Sequence, residues 1–308
     1  MMTSPTTSPA RAVEVIRAGA LTTIQDLGRP GYAHLGVGRA GALDPAAHVL
    51  LNRLVGNPPE AATLETTLTG VTLRPTIDLL AAVGGAAAGV RVDGRPAPWG
   101  RAFRVPAGAD LDVGPARYGL RCYLALAGGL AAPPVLGSRS ADLLSGLGPA
   151  PLRDGDLLAL GEPAGPAATA DVLPWTVPGV AGIGGPVDLP VLPGPRADRI
   201  TAAAWRRLFE AEYAVAVASN RIALRLAGPP LERCGPDTVP SEGAVLGAIQ
   251  VPADGRPILF LADHPTVGGY PVIGVVPAAG LARAAQAAPG ATVRFRPAGR
   301  GGPRPGTA

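Results

Sequence analysis

Residues 263–270 read DHPTVGGY and place a carboxylate, an imidazole, a hydroxyl, two adjacent glycines and a phenol within eight positions. A second dense stretch, TTIQDLGRPGYAHLG at 22–36, gathers Gln25, Asp26, Arg29, Tyr32 and His34 around Gly28, Pro30 and Gly31. Taken together, the two stretches hold groups that could bind an anion and stabilise negative oxygen. Arg29 offers a planar fork of donors for a carboxylate or phosphate, and Asp26 or Asp263 could orient it or relay a proton. Thr266 and the amides of Gly268 and Gly269 could donate to developing oxyanion charge, while Gln25 adds a binding amide and Tyr270 a pocket wall. The same residues admit a plainer reading. Asp26 and Arg29 could be an ion pair pinning a turn, and Gly268-Gly269 could supply the positive φ of a hairpin. On composition alone the hairpin is favoured.

Other motifs carry less. GVGRAG at 36–41 matches GxGxxG and precedes a helix, but a dinucleotide fingerprint needs a buried strand before its first glycine, and here GRPGYAHL precedes it. It reads as a glycine-rich turn. Gly268-Gly269 is followed by no lysine and is not a P-loop. No GxSxG elbow occurs, and no histidine has partners at metal-ligand spacing, so no metal site is expected.

The elements that must position these residues are short and punctuated by Gly and Pro, which favours sheet over helix. Strands are predicted at 103–105, 110–113, 121–127, 156–160, 222–226, 244–251, 257–262 and 291–296. Such spacing suggests barrels or sandwiches rather than a wound parallel sheet. Three helices interrupt it. DPAAHVLLNRLVGN carries Asp44 as a cap, Pro45 at the first helical position and Gly56 as a stop, with Ala46, Val49, Leu50 and Leu54 on the packed face. A second spans about 198–213 with Trp205 and Phe209 on one side, and a third about 278–287. The Pro/Gly-rich stretch at 172–186 marks a domain boundary.

With 308 residues, nearly half of them hydrophobic, the chain can bury a substantial core and divides into two domains. All 27 basic residues are arginine. Without lysine the chain can be neither a P-loop ATPase nor a biotin carrier nor a pyridoxal enzyme by the usual chemistry, so a partner must hold ATP or biotin at least in part. The net charge of +4 equals the count of Arg294, Arg296, Arg300 and Arg304 in the last fifteen residues, read here as a solvated tail. With three Trp, five Tyr and four Phe, a stacking groove for nucleic acid is not expected. Cys122 and Cys234 form no CxxC pair and read as thiols of a reducing compartment. No apolar signal core opens the chain and no stretch is long enough to span a bilayer, which points to the cytoplasm.

The chain resembles the family containing the second allophanate-hydrolase-like subunit, the C subunit of 5-oxoprolinase and the Kip-inhibitor antagonist, a unit that also forms half of the carboxyltransferase region of urea carboxylase. The resemblance covers about residues 12–296 and rests on TTIQDLGRPGYAHLGVGRAGALD (22–44), LLNRLVGN (50–57), ATLETTLTG (62–70), YLALAGG (123–129), GSRSADLLSGLG (137–148), SNRIALRL (219–226), SEGAVLGAIQV (241–251) and LADHPTVGGYPVIGVV (261–276). Three departures are visible: His264-Pro265 replaces a different pair, Ile222-Ala223 replaces Met-Gly, and Gly280 stands where an acidic helix cap is common. The resemblance implies a mainly β protein of two barrel-like domains, at 12–180 and 181–296, the second cyclophilin-like, with tails at 1–11 and 297–308.

It also implies companions: a homologue of the 5-oxoprolinase B subunit (allophanate hydrolase subunit 1-like) and, for a 5-oxoprolinase, a structurally unrelated homologue of the A subunit, which together use ATP on a small-molecule substrate. Asp26, Asp263 and Thr266 are then expected as catalytic, and Gln25, Arg29, Gly268, Gly269 and Tyr270 as substrate-binding. Three readings follow. The chain is one subunit of an ATP-dependent 5-oxoprolinase opening 5-oxoproline to glutamate, inactive alone. Or it is a carboxyltransferase component acting on urea or a related amide with separate biotin-bearing partners. Or it is a non-enzymatic regulator that binds a kinase-inhibitor protein.

Overall fold

The computed structural model describes residues 11–168, 185–235 and 239–298. Most of the expected boundary stretch at 172–186 lies outside the described residues. The chain forms two compact units, interleaved in sequence. Within the described residues the first comprises 11–27, 45–141 and 148–168, and the second 28–44, 142–147, 185–235 and 239–298. Two short segments thus cross a linear division of the chain, and both carry motifs singled out above.

The first unit is a curled nine-stranded sheet: β1 (Ala12–Arg17), β2 (Leu21–Gln25), β3 (Thr63–Thr67), β4 (Val71–Pro75), β5 (Leu79–Val92), β6 (Arg95–Ala97), β7 (Ala102–Val105), β8 (Leu111–Leu126) and β9 (Leu157–Ala159). Its main path runs β2-β3-β8-β4-β1-β9, with β5 paired to β6, β7 and β8. The strands predicted at 110–113 and 121–127 prove to be one. Gly114, Pro115 and Gly119 look like breakers, yet β8 continues through them because its pairing with β5 shifts register three times between Gly85 and Val90. Bulges of this kind absorb residues that a regular ladder rejects.

Helix α1 (Pro45–Leu54) covers this sheet, but not with the expected face. Ala47, His48, Leu51, Asn52 and Leu54 are buried, while Ala46 is exposed and Val49 and Leu50 are only half-buried. The buried face differs from the apolar one because it hides two polar groups. His48 Nε2 donates to the Pro59 carbonyl at 3.0 Å and Nδ1 accepts from Thr63 Oγ1 at 2.9 Å. Asn52 Nδ2 donates to the Ala61 carbonyl at 2.8 Å, and Asn57 Nδ2 donates to Asn52 Oδ1 at 3.0 Å. Periodicity of apolar residues cannot register a buried face whose polar members are satisfied this way.

The second unit is a closed seven-stranded barrel, as the resemblance implied. Its strands are β10 (Val187–Pro193), β11 (Tyr213–Val215), β12 (Ala223–Ala227), β14 (Ala248–Gln250), β15 (Ile258–Phe260), β17 (Val272–Val275) and β18 (Thr292–Pro297). They run in the order β10-β17-β14-β15-β12-β11-β18, and the parallel pairing of β10 with β18 closes the ring. A two-stranded ribbon, β13 (Glu242–Gly243) with β16 (Val267–Gly268), stands beside it. Leu189, Leu224, Ile249, Leu259, Ile273 and Phe295 fill the barrel core.

Helix α2 (Ala202–Glu210) is shorter than predicted, because Thr201 caps it by accepting from Ala204 N at 3.1 Å. Trp205 and Phe209 do share a side, packed edge to face with centroids 5.2 Å apart. Helix α3 spans Ala278–Ala285. Two of the four arginines assigned to a tail belong to β18, where Arg294 pairs with Glu212 and Arg296 with Asp188. Among the described residues no helix is long and apolar enough to cross a membrane.

Candidate active site

The segment GRPGYAHLGVGRAG (28–41) is a closed loop on the second unit. The Arg29 amide donates to the Arg39 carbonyl at 2.7 Å, and the approach is so tight that Gly28, at φ +83°, leaves no room for a side chain. A Cβ there would lie 2.4 Å from the Arg39 carbonyl oxygen. A short 3-10 turn at Ala33–Leu35 crowns the loop and ends at Gly36 in the left-handed region. Gly38 sits against the next part of the site, with space for a Cβ only 3.2 Å from the His264 carbonyl oxygen.

That packing encloses a cleft of about 480 Å³. Arg29, Tyr32 and Arg39 line it from the loop, His264 and Thr266 from the turn after β15, and Val245 and Leu281 from the barrel side. Arg29 is 1% exposed and Arg39 is open to solvent. The cleft is therefore apolar along much of its wall, with two arginines and an imidazole among its lining, as small-molecule sites tend to be.

Asp263 supports this turn from beneath. It is fully buried, and its carboxylate accepts from Arg221 Nε at 3.0 Å, Arg221 Nη2 at 2.9 Å and the Leu143 amide at 3.1 Å. Burial pushes its carboxyl above the usual carboxylate range, and the Arg221 guanidinium and the Leu143 amide pull it back. Arg221 also donates to the Gly41 carbonyl at 2.7 Å, so one guanidinium ties the far end of the 28–41 loop to the turn. Leu143 belongs to a second loop, 142–147, which Asp142 organises by accepting from the Leu144 amide at 2.9 Å and Ser145 Oγ at 2.7 Å.

The expected site residues thus divide. Arg29 and Thr266 share the cleft. Gln25 and Asp26 belong to the first unit. Asp26 accepts from Ser138 Oγ, Ser140 Oγ and the Arg139 amide, each at 2.6 Å, and so holds the GSRS turn. Gln25 Nε2 donates to Thr23 Oγ1 at 3.0 Å and to the Ala141 carbonyl at 3.1 Å. Asp263 sits beneath the cleft, engaged by Arg221. Tyr270 is exposed on a different cleft, beside Arg225 and Arg256. Neither Gly268 nor Gly269 has positive φ, so both the left-handed hairpin and a nest of alternating amides are corrected. Gly268 is needed for closeness instead: a Cβ would lie 2.7 Å from Gln250 Nε2. Its extended backbone pairs with Glu242 in the ribbon.

Sequence reasoning gave no role to Arg39, His264, Arg221 or the 142–147 loop. Arg221 lies in the motif SNRIALRL and the 142–147 loop in GSRSADLLSGLG, but Asn220 and Asp142 are satisfied by near neighbours, so nothing local pointed to the distant partners of these segments. Among the described residues no group of three or more His, Cys, Asp or Glu could hold a metal ion.

Comparison with known proteins places this architecture. The model of the family described as carboxyltransferase domain, subdomain A and B, matches residues 35–297. The chain is 35% identical to the C subunit of 5-oxoprolinase from Escherichia coli K12 over 286 residues, 92% of this chain and 90% of that one. The crystal structure of a protein named TTHA0988 superimposes with a TM-score of 0.83 at 35% identity, covering 95% of this chain and 57% of the other. The crystal structure of the Kluyveromyces lactis urea carboxylase gives a TM-score of 0.84 at 30% identity over 94% of this chain, which spans only 27% of that protein. A family match over residues 35–297, most of the length, makes this chain a member of the carboxyltransferase domain, subdomain A and B, family.

Proposed function

We propose that the chain is one component of a multi-subunit, ATP-dependent 5-oxoprolinase that opens the lactam of 5-oxoproline to glutamate, with the second-unit cleft as its contribution to the substrate site. The reading rests on the 35% identity to a 5-oxoprolinase C subunit along 90% of that relative's length. It agrees with the chemistry of the cleft, where arginine can hold a carboxylate and Thr266 can donate to carbonyl oxygen. A lactam is resonance-stabilised, and ATP activates it by phosphorylating the carbonyl oxygen before water attacks. The chain has no lysine and so no P-loop of its own, and a partner polypeptide is proposed to hold ATP at least in part. Homologues of the 5-oxoprolinase A and B subunits are the proposed companions.

The likeness to a urea carboxylase supports a second reading, a carboxyltransferase component whose biotin is carried by a partner. Co-expression with those two companions separates the readings. ATP-dependent glutamate release from 5-oxoproline, unaffected by avidin, is the expected result. Avidin-sensitive carboxylation of urea or another amide moves the assignment to the carboxyltransferase, and a well-formed complex with neither activity favours a regulatory protein.

A further inference from the structure

His264 is held in one plane and one tautomer. Its ring stacks on Phe260 with centroids 5.8 Å apart and planes 9° from parallel. Nδ1 lies 2.7 Å from the Pro265 carbonyl oxygen, and a carbonyl only accepts, so Nδ1 carries the proton. The ring nitrogen that keeps a lone pair is then Nε2, on a residue that lines the cleft. Burial lowers the pKa of the ring, against the hydrogen bond to the Pro265 carbonyl; Arg39 lowers it further, and Asp263 and Asp142 raise it. The imidazole is neutral near pH 7 and serves as an acceptor.

Arg39 lines the same cleft, is open to solvent, and is near enough to act on the imidazole. The cleft therefore sets a fixed hydrogen-bond acceptor beside a cation. The complementary ligand is a neutral N–H donor with an anion close by. An amide or lactam bearing a carboxylate has that pattern, and an N-alkylated one does not.

We propose that His264 is a specificity-determining residue whose Nε2 accepts the N–H of a secondary amide or lactam while Arg39 holds the neighbouring carboxylate. The inference rests on the reading of this cleft as the substrate site. It makes His264 the group that selects for an unsubstituted nitrogen. N-methylation removes the donor and sets a methyl against the lone pair, and a site built to hydrogen-bond an N–H rejects an analogue that lacks it.

The test compares wild type, His264→Phe and His264→Gln in the complex reconstituted with companion subunits. Phenylalanine keeps the stack on Phe260 without the acceptor, and glutamine returns an acceptor near the Nε2 position. Wild type is expected to bind 5-oxoproline about tenfold or more tightly than N-methyl-5-oxoproline. His264→Phe raises KM by a similar factor and loses the discrimination, and His264→Gln recovers part of it. A second readout needs no turnover: with three histidines in the chain, the ¹⁵N imidazole resonances of the full chain are readily assigned. The His264 Nε2 signal should move with 5-oxoproline and stay in place with the N-methyl analogue. Turnover with unchanged KM and discrimination in a folded His264→Phe overturns the inference and leaves the lactam-opening reading standing. A wild-type complex inert toward 5-oxoproline overturns that reading instead. The Nε2 titration then decides the inference alone, since a shift confined to N–H-bearing ligands supports it and an unmoved signal overturns it.

Discussion

Arg221 and Asp263 face each other as a buried bidentate ion pair, with contacts of 3.0 and 2.9 Å, and the Asp263 amide donates back to the Arg221 carbonyl at 3.1 Å. The pair fixes the turn that carries His264 and Thr266. Removing one partner leaves an uncompensated buried charge, which costs about 3–5 kcal/mol. Arg221→Ala and Asp263→Ala should each lower the urea-unfolding free energy by that amount. A loss below about 1 kcal/mol in either would show that the charge finds another partner.

Acid should destabilise the first unit through His48. Burial lowers its pKa, against the Pro59 carbonyl, Asp26 and Glu65, which raise it. The unfolded chain therefore binds the proton more readily than the folded one. The stabilising contribution is complete above the unfolded value of about 6.5 and is lost as pH falls from there toward the depressed folded value. Urea midpoints measured between pH 8 and pH 5 should fall with acid in wild type and fall less in His48→Gln. Identical acid limbs in the two proteins would remove His48 as a source.

The two thiols should differ sharply. Burial pushes the Cys122 thiol up to about 12, and its Sγ lies 3.4 Å from the Ala86 carbonyl. Cys234 is partly exposed. A thiol reagent at pH 8 should modify Cys234 in the native protein and reach Cys122 only on unfolding. Fast modification of both would contradict the packing of β8 against β5.

Gly28→Ala should disturb the cleft loop more than its size suggests. The substitution combines a left-handed backbone, costing about 1–2 kcal/mol, with a clash against the Arg39 carbonyl oxygen. The expected outcome is a lower melting temperature together with weaker 5-oxoproline binding. Gly31→Ala, also at positive φ but with no atom within 4 Å of its Cβ, should carry only the backbone part.

Arg29→Lys keeps the charge and removes the planar fork. In the assembled complex it should lower kcat/KM for 5-oxoproline about tenfold or more, with the fold intact by circular dichroism. Turnover at the wild-type rate would take Arg29 out of substrate binding.

What the sequence determined by itself was local. Gly and Pro spacing marked short strands, Pro45 stood where the first helix begins, and the missing lysine ruled out the usual P-loop and biotin-carrier chemistry in this chain. The family was legible too, because its motifs are contiguous words. The two stretches densest in chemistry were also visible, but not what each residue in them does. A carboxylate looks the same in sequence whether it meets a substrate or a buried arginine. Only the tertiary structure decided that Asp263 anchors the turn through Arg221, 42 positions away, and that Asp26 holds Ser138 and Ser140, more than 110 positions on. It decided as well that the 28–41 and 142–147 segments join the barrel unit. Those outcomes depend on long-range pairing, and no local pattern encodes which distant donor a buried acceptor will find. His264 gained its proposed role the same way, from the Phe260 ring it stacks on and the Arg39 charge in the same cleft.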